Sequence, residues 1–214
     1  MTLRVISAAI IAPVVLTAVY LGFPFFEITV GISALILAWE WNRLCQGKIV
    51  WLIFGLIYII LPCWSLLYLR ADPVMGLKTI FWLLAVVWCT DTFAFVFGRM
   101  IGGPKLSPRI SPNKTWSGLL GGIMSAGIVG LATAMALEKE SYVALTGWSA
   151  AIGAVSQGGD LVESWVKRHF GVKDTSAIIP GHGGLFDRVD GLLVAAVAAV
   201  VIGAAGKGGI LTWT

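Results

Sequence analysis

Seven apolar stretches, each close to the roughly 20 residues of helix that a bilayer core requires, succeed one another along the chain: 3–21, 23–41, 49–69, 77–97, 117–137, 142–161 and 189–205. In hydrocarbon every backbone N–H and C=O must be satisfied within the segment, so runs of this length become helices. Composition agrees. Hydrophobic residues make up 58% and charged residues 12% of the 214, against about 25% charged in a soluble domain. So few charges cannot coat a globule of this size, which excludes a soluble domain, a disordered chain, a collagen and a coiled coil. The 26 glycines and 10 tryptophans suit a helical membrane protein, where small residues let helices approach and indoles sit at the interfaces. The expected fold is all-α: a polytopic integral membrane protein of about seven transmembrane helices. The first run, with Arg4 ahead of it, is long for a signal peptide and is followed by further spans, so it is read as a retained helix. Neither an internal repeat nor a linker interrupts the series.

The net charge of +4 is explained by membrane topology and calls for no nucleic acid. With the N-terminus placed inside, Arg4, Arg43, Lys48, Arg99, Lys105, Arg109, Lys114, Lys167, Arg168, Lys173 and Arg188 share its side, and Arg70, Lys78, Lys139 and Lys207 take the other. The positive-inside rule therefore predicts a cytoplasmic N-terminus. The polar loops 98–116 and 167–188 then face the cytoplasm together, where nucleotides are found. Cys45, Cys63 and Cys89 lie apart in or beside apolar runs, which suits packing and neither a zinc site nor a disulfide framework.

Loop 98–116 reads GRMIGGPKLSPRISPNKTW and carries Arg99, Lys105, Arg109 and Lys114 without an acid. Its three prolines keep the backbone out of helix. Ser111, Asn113 and Thr115 offer donors beside Lys114, just ahead of a helix whose free N–H groups favour phosphate oxygens. An anchor for anionic lipid headgroups is the alternative. Asp91 lies inside the fourth apolar run, where an acid is costly and marks a functional position or a partner of a nearby cation. Glu40, between two tryptophans, is read as structural.

Asp160, Ser164 and Lys167 recur at spacings of four and three, so one helix face carries all three, flanked by Glu163 and Arg168. A helix end with compensating charges is the competing account. Gly158 and Gly159, just before Asp160, suggest close backbone approach. Further on, IPGHGGLFDRVD (179–190) places Asp187 and Asp190 on one side of a helix start. Asp160, Asp187 and Asp190 together would form a hard oxygen site suited to Mg²⁺ shared with substrate phosphates, unless the last two only cap the helix. His182 and Arg188 are phosphate donors beside them. A Walker loop, a G-x-S-x-G elbow and an H-E-x-x-H helix are all missing.

The segment 164–190, SWVKRHFGVKDTSAIIPGHGGLFDRVD, resembles the signature of phosphatidate cytidylyltransferases (CDP-diacylglycerol synthases). DTFAFVFGR (91–99), SPNKTWSG (111–118) and SQGGDL (156–161) resemble further blocks of the same family. The resemblance implies transfer of CMP from CTP to phosphatidate, giving CDP-diacylglycerol and pyrophosphate, in a single membrane domain over 1–214. Residues 1–76 would hold the N-terminal spans and 77–214 the catalytic part. It implies Mg²⁺, with a monovalent cation such as K⁺, and a homodimer, while the compact length suggests a bacterial plasma membrane and the distribution of Lys and Arg a site facing the cytoplasm. By the same likeness Asp160 and Asp187 are metal ligands with Asp190 close by. Lys167, Arg168, Lys173 and Arg188, with Ser111, Lys114 and Thr115, hold phosphates, and His182, Gly183 and Gly184 turn against the nucleotide. Asp91, Arg99, Asn113 and Ser164 complete the expected substrate site. Three other readings stay open: a CTP-dependent enzyme on another lipid phosphate or a polyprenol (a CDP-archaeol synthase or a polyprenol kinase), a transporter, and a non-catalytic scaffold.

Overall fold

The computed structural model describes residues 2–181, 183–206 and 208–213. In chain order the elements are α1 (Thr2–Leu21), α2 (Phe25–Cys45), α3 (Ile49–Arg70), α4 (Gly76–Met100), β1 (Lys105–Ser107), β2 (Ser111–Thr115), α5 (Trp116–Ala136), α6 (Tyr142–His169), α7 (Phe186–Ala205) and α8 (Ile210–Trp213). Each apolar run of the sequence becomes one of the helices α1 to α7. The four helices α3, α4, α5 and α7 are long and apolar enough to cross a bilayer, and α1 adds the shorter apolar stretch Ala9–Leu21. On α3, Ile53, Leu56, Ile57 and Ile60 are each more than half exposed, an outward face that only hydrocarbon would suit. The chain is an all-α polytopic membrane protein with one small hairpin.

Local chemistry sets the helix ends. Thr115 caps α5 by accepting the Gly118 N–H, and Ser141 caps α6 by accepting the Ala144 N–H. Asp72 accepts the N–H groups of Val74 and Met75 in the turn before α4. Gln46 and Gly47, both in the left-handed region, end α2.

Small residues let α4, α5 and α6 pack backbone to backbone. A Cβ on Gly118 or Gly122 of α5 would stand 2.7 or 2.9 Å from the carbonyl oxygens of Ala94 and Thr90 on α4, and one on Gly130 would meet Leu145 O of α6 at 2.6 Å. This is how helices associate where lipid offers no hydrophobic drive. The other half of the bundle is held by aromatic rings. Trp41 of α2 lies 5.9 Å from Tyr58 of α3 and 5.4 Å from Phe186 of α7, centroid to centroid.

The structure bears out one reading beyond the apolar runs and departs from the sequence reading in two places. α6 runs on past the apolar run to His169, so one helix carries Asp160, Ser164 and Lys167 as their spacing implied, and the i,i+4 pair Glu163–Lys167 supports its charged last turns. The loop after α4 is not irregular: β1 and β2 pair antiparallel, with Lys105 opposite Thr115 and Ser107 opposite Ser111. Both strands are edges, so Pro112 is tolerated. α8 follows a glycine-rich turn and is too short to carry an apolar-run signal.

Candidate functional site

A cavity of about 680 Å³ opens where the hairpin, the last turns of α4 and α6, and the first turn of α7 meet. Lys114 at the end of β2 is drawn onto α6, its Nζ 2.7 Å from Asp160 Oδ2 and 3.4 Å from the Gln157 carbonyl. Gln157, one turn earlier, donates to Asp91 Oδ1 of α4 at 3.2 Å. Asp160 also accepts the Ser164 hydroxyl at 3.3 Å. One face of α6 thus organises acids from two helices and a lysine from the hairpin.

Lys167 lies one turn further along α6. Its ammonium stands 2.9 Å from Glu163 Oε2 and 2.6 Å from Asp187 Oδ1. The second oxygen of Asp187 accepts the Thr175 and Gly184 N–H groups and the Thr175 hydroxyl. Asp187 therefore binds the 170–185 loop to α6. A second carboxylate does similar work from below: fully buried Glu40 of α2 accepts the N–H of Leu185 at 2.9 Å and of Phe186 at 2.8 Å, and the hydroxyls of Thr175 and Ser176. It supplies α7 with a cap from 146 residues away, neutralising the positive end of the helix. Gly183 and Gly184 fit only as glycines. Gly183 has a φ of +87°, and a Cβ on Gly184 would lie 2.5 Å from Glu40 Oε1.

Three carboxylates converge beside this loop. Asp160, Glu163 and Asp190 each bring an oxygen within 4.8 Å of the others. Glu163 Oε1 is buried and has no hydrogen-bond partner among the described residues, so it is left free to take a cation. A hard-oxygen set with an unsatisfied member fits a divalent ion that keeps waters or phosphate oxygens as its remaining ligands. Positive charge stands around it. Arg99, Lys105 and Arg188 line the same cavity and make no ion pair among the described residues, so they remain available to an anion.

The expected site residues fall into three groups. Asp91, Arg99, Asn113, Lys114, Thr115, Asp160, Lys167, Asp187, Arg188 and Asp190 line the cavity, with Ser164 on Asp160 and Gly183 and Gly184 around Asp187. Thr115 lies there with its hydroxyl engaged by Ser117 and the Gly118 N–H. Arg168 turns away, donating to the carbonyls of Ile110 and Val172, where it braces the hairpin against the 170–185 loop. Ser111 at the start of β2 and exposed Lys173 do not line the cavity. His182 lies outside the described residues. Glu163, noted in the sequence only as a flanking charge, joins the carboxylate group. Its spacing of three from Asp160 and four from Lys167 was the available signal. Glu40 also bore a legible mark, an acid within an apolar run, though nothing in the sequence identified its partners.

Known proteins with similar sequences match most of the chain. The profile of a family described as the Cytidylyltransferase family covers residues 45–205. A phosphatidate cytidylyltransferase of Brucella abortus biovar 1 (strain 9-941) is 47% identical over 171 residues, which are 80% of this chain and 62% of the relative. The chain thus matches less than two thirds of the length of the Brucella protein. A protein of the same name from Rickettsia bellii (strain RML369-C) is 35% identical over 207 residues, 91% of this chain and 87% of the relative. One from Rickettsia felis (strain ATCC VR-1525 / URRWXCal2) is 34% identical over 205 residues, 91% and 88% of the two chains.

Proposed function

The chain belongs to the cytidylyltransferase family, and on that premise we propose that it is a nucleotidyltransferase that transfers CMP from CTP to phosphatidate, releasing pyrophosphate. The observation that carries the reading is one cavity holding Arg99, Lys105 and Arg188 opposite the carboxylates of Asp160, Glu163 and Asp190, built into an apolar bundle. Such a site receives two polyanions, and the bundle lets one of them keep a hydrocarbon tail in lipid.

Phosphatidate brings its own nucleophile. A phosphate oxygen attacks the α-phosphorus of CTP, a new P–O bond forms, and the bond to the bridging oxygen of the β-phosphate breaks, with its electron pair leaving on pyrophosphate. No side chain has to form a covalent intermediate, so the protein's task is to align the two phosphates and neutralise their charge. Arg99 and Lys105 suit the triphosphate from the hairpin side. Arg188, on α7, suits the lipid phosphate. Lys114 orients Asp160, and Lys167 ties Glu163 to Asp187.

Asp160, Glu163 and Asp190 would hold Mg²⁺, with Asp187, joined to Glu163 through Lys167, as the further ligand that the family resemblance implies. Bound there, the ion supplies charge neutralisation at the phosphate oxygens. The same resemblance implies K⁺ as a second cation and a homodimer. The distribution of Lys and Arg supports an N-terminus and an active site on the cytoplasmic side of a bacterial inner membrane.

The test is purified protein in detergent with labelled CTP, phosphatidate and Mg²⁺. Lipid-linked CMP and pyrophosphate in equal amounts, lost in a folded Asp160→Asn variant, are expected. CTP left intact with phosphatidate would overturn the reading, and CDP in place of pyrophosphate would point to a kinase.

A further inference from the structure

A second cavity, of about 640 Å³, opens between the tip of the hairpin and the last turns of α6. Ser107, Pro108 and Arg109 line it from the hairpin, and Trp165, Arg168 and His169 from α6. Leu106 lines both this cavity and the polar one, so the hairpin is the partition between them and both open at the same membrane face. The lining carries two arginines and a histidine and no acid. Arg109 makes no ion pair among the described residues. The geometry points to a binding site for the phosphate of an anionic phospholipid headgroup, separate from the two phosphates of the proposed reaction.

Three observations commit the cavity to that occupant. The first is a fixed cation. Arg168 donates from Nε to the Ile110 carbonyl at 3.3 Å and from Nη1 to the Val172 carbonyl at 3.2 Å. Its guanidinium is thus held in place with Nη2 left over, and a planar fork that is already oriented suits phosphate oxygens at little cost in ordering. The second is depth. The apolar run of α6 ends at Leu161, and Trp165 and Arg168 follow about 6 and 10 Å further along the helix at a rise of 1.5 Å per residue. The headgroup layer on each side of the hydrocarbon is about 5–8 Å thick, so Trp165 stands within it and Arg168 at its outer edge. Trp165 is 46% exposed and lies 5.9 Å from Trp51, centroid to centroid, as indoles do at a membrane interface. The third is the rim. Leu106 and Ile110 put apolar surface beside the arginines, which a bare anion would leave wet and the glycerol end of a lipid would cover. The volume falls among small-ligand sites of about 300–1,000 Å³.

Pro108 and Arg109 are exposed at the hairpin turn and line only this second cavity. Purified protein in detergent is titrated with dioleoyl phosphatidylglycerol or dioleoyl phosphatidylcholine, and bound lipid is measured by native mass spectrometry. Hydrogen exchange of residues 105–115 is followed in parallel, so no readout depends on CMP transfer. The expected result is selective retention of phosphatidylglycerol, with exchange in the hairpin slowed by that lipid and not by phosphatidylcholine. Arg109→Gln should weaken the binding about fivefold, the scale of one cation at a membrane surface. Pro108→Glu sets a negative charge in the cavity and should weaken it at least as much. Arg43 of α2 stacks on Trp39, away from the cavity, and Arg43→Gln should leave the binding as it is. Equal weakening by Arg43→Gln would reveal a diffuse positive surface and overturn the proposal. Phosphatidylcholine held as tightly, or phosphatidylglycerol held normally by both hairpin variants, would overturn it too. Displacement of the lipid by millimolar inorganic phosphate would assign the cavity to a soluble anion, again against the proposal.

Discussion

The Lys167 ammonium stands 2.6 Å from Asp187 Oδ1 and so joins the last turns of α6 to the first turn of α7. The same nitrogen is 2.9 Å from Glu163, and the Glu163 and Asp187 side chains are only 3% and 4% exposed. Removing the lysine strands two buried acids. Breaking a buried pair from one side typically costs about 3–5 kcal/mol, so Lys167→Met should lower the melting temperature in detergent and abolish CMP transfer. Adding Glu163→Gln to Lys167→Met should recover part of the stability without the activity. A Lys167→Met protein that melts like wild type would show that the pair holds nothing together.

Glu40 makes the corresponding link between α2 and the start of α7. In Glu40→Ala the N–H groups of Leu185 and Phe186 lose their acceptor, and each buried group left unpaired costs about 1–3 kcal/mol. The Asp187 loop should loosen, with activity down more than tenfold while the protein still inserts. Glu40→Gln keeps one accepting oxygen and should fall between. The check is hydrogen exchange over 174–187 beside the transfer assay, and undisturbed exchange in Glu40→Ala would contradict the assigned role.

How these contacts compare with the sequence shows what a linear pattern can carry. Apolar runs located α1 to α7, because hydrocarbon demands helices of a set length. The intramembrane acids Asp91 and Asp160 were legible for the same reason, and both line the cavity. Glu40 is 145 residues from Leu185, and no local pattern announces a cap that arrives from another helix. The hairpin was hidden too, since Lys105–Ser107 and Ser111–Thr115 have neither length nor alternation to mark them as strands. The direction of Arg168 depends on where the Ile110 carbonyl comes to rest, which only the tertiary fold decides.

Cation dependence follows from the carboxylate group. Chelation by EDTA should abolish CMP transfer, and Mg²⁺ should restore it. Glu163→Gln removes one carboxylate of the proposed cation site, whose Oε1 has no hydrogen-bond partner among the described residues, so the Mg²⁺ concentration for half-maximal activity should rise about tenfold. A binding readout separates this from general damage: Mg²⁺ added with CTP should raise the melting temperature of wild type and fail to do so in Asp190→Asn. An equal melting shift in both proteins would place the ion elsewhere.

The adjacent glycines 158 and 159 should respond in opposite ways to the same substitution. Both sit inside α6, where alanine is the better helix former by about 1 kcal/mol. A Cβ on Gly158 meets nothing within 4 Å, whereas one on Gly159 would lie 2.7 Å from Val194 Cγ2 and 3.0 Å from the Asp190 carbonyl oxygen. Gly158→Ala should therefore leave activity intact and raise stability slightly. Gly159→Ala must push α7 away from α6 just where Asp190 approaches Asp160 and Glu163, and overpacking of this kind costs about 1–3 kcal/mol. Because the displaced element carries a carboxylate of the proposed cation group, its Mg²⁺ requirement should rise along with its loss of stability. Melting curves and Mg²⁺ titrations of the two variants side by side decide the matter, and equal behaviour would mean that the close approach at Gly159 does not set the position of Asp190.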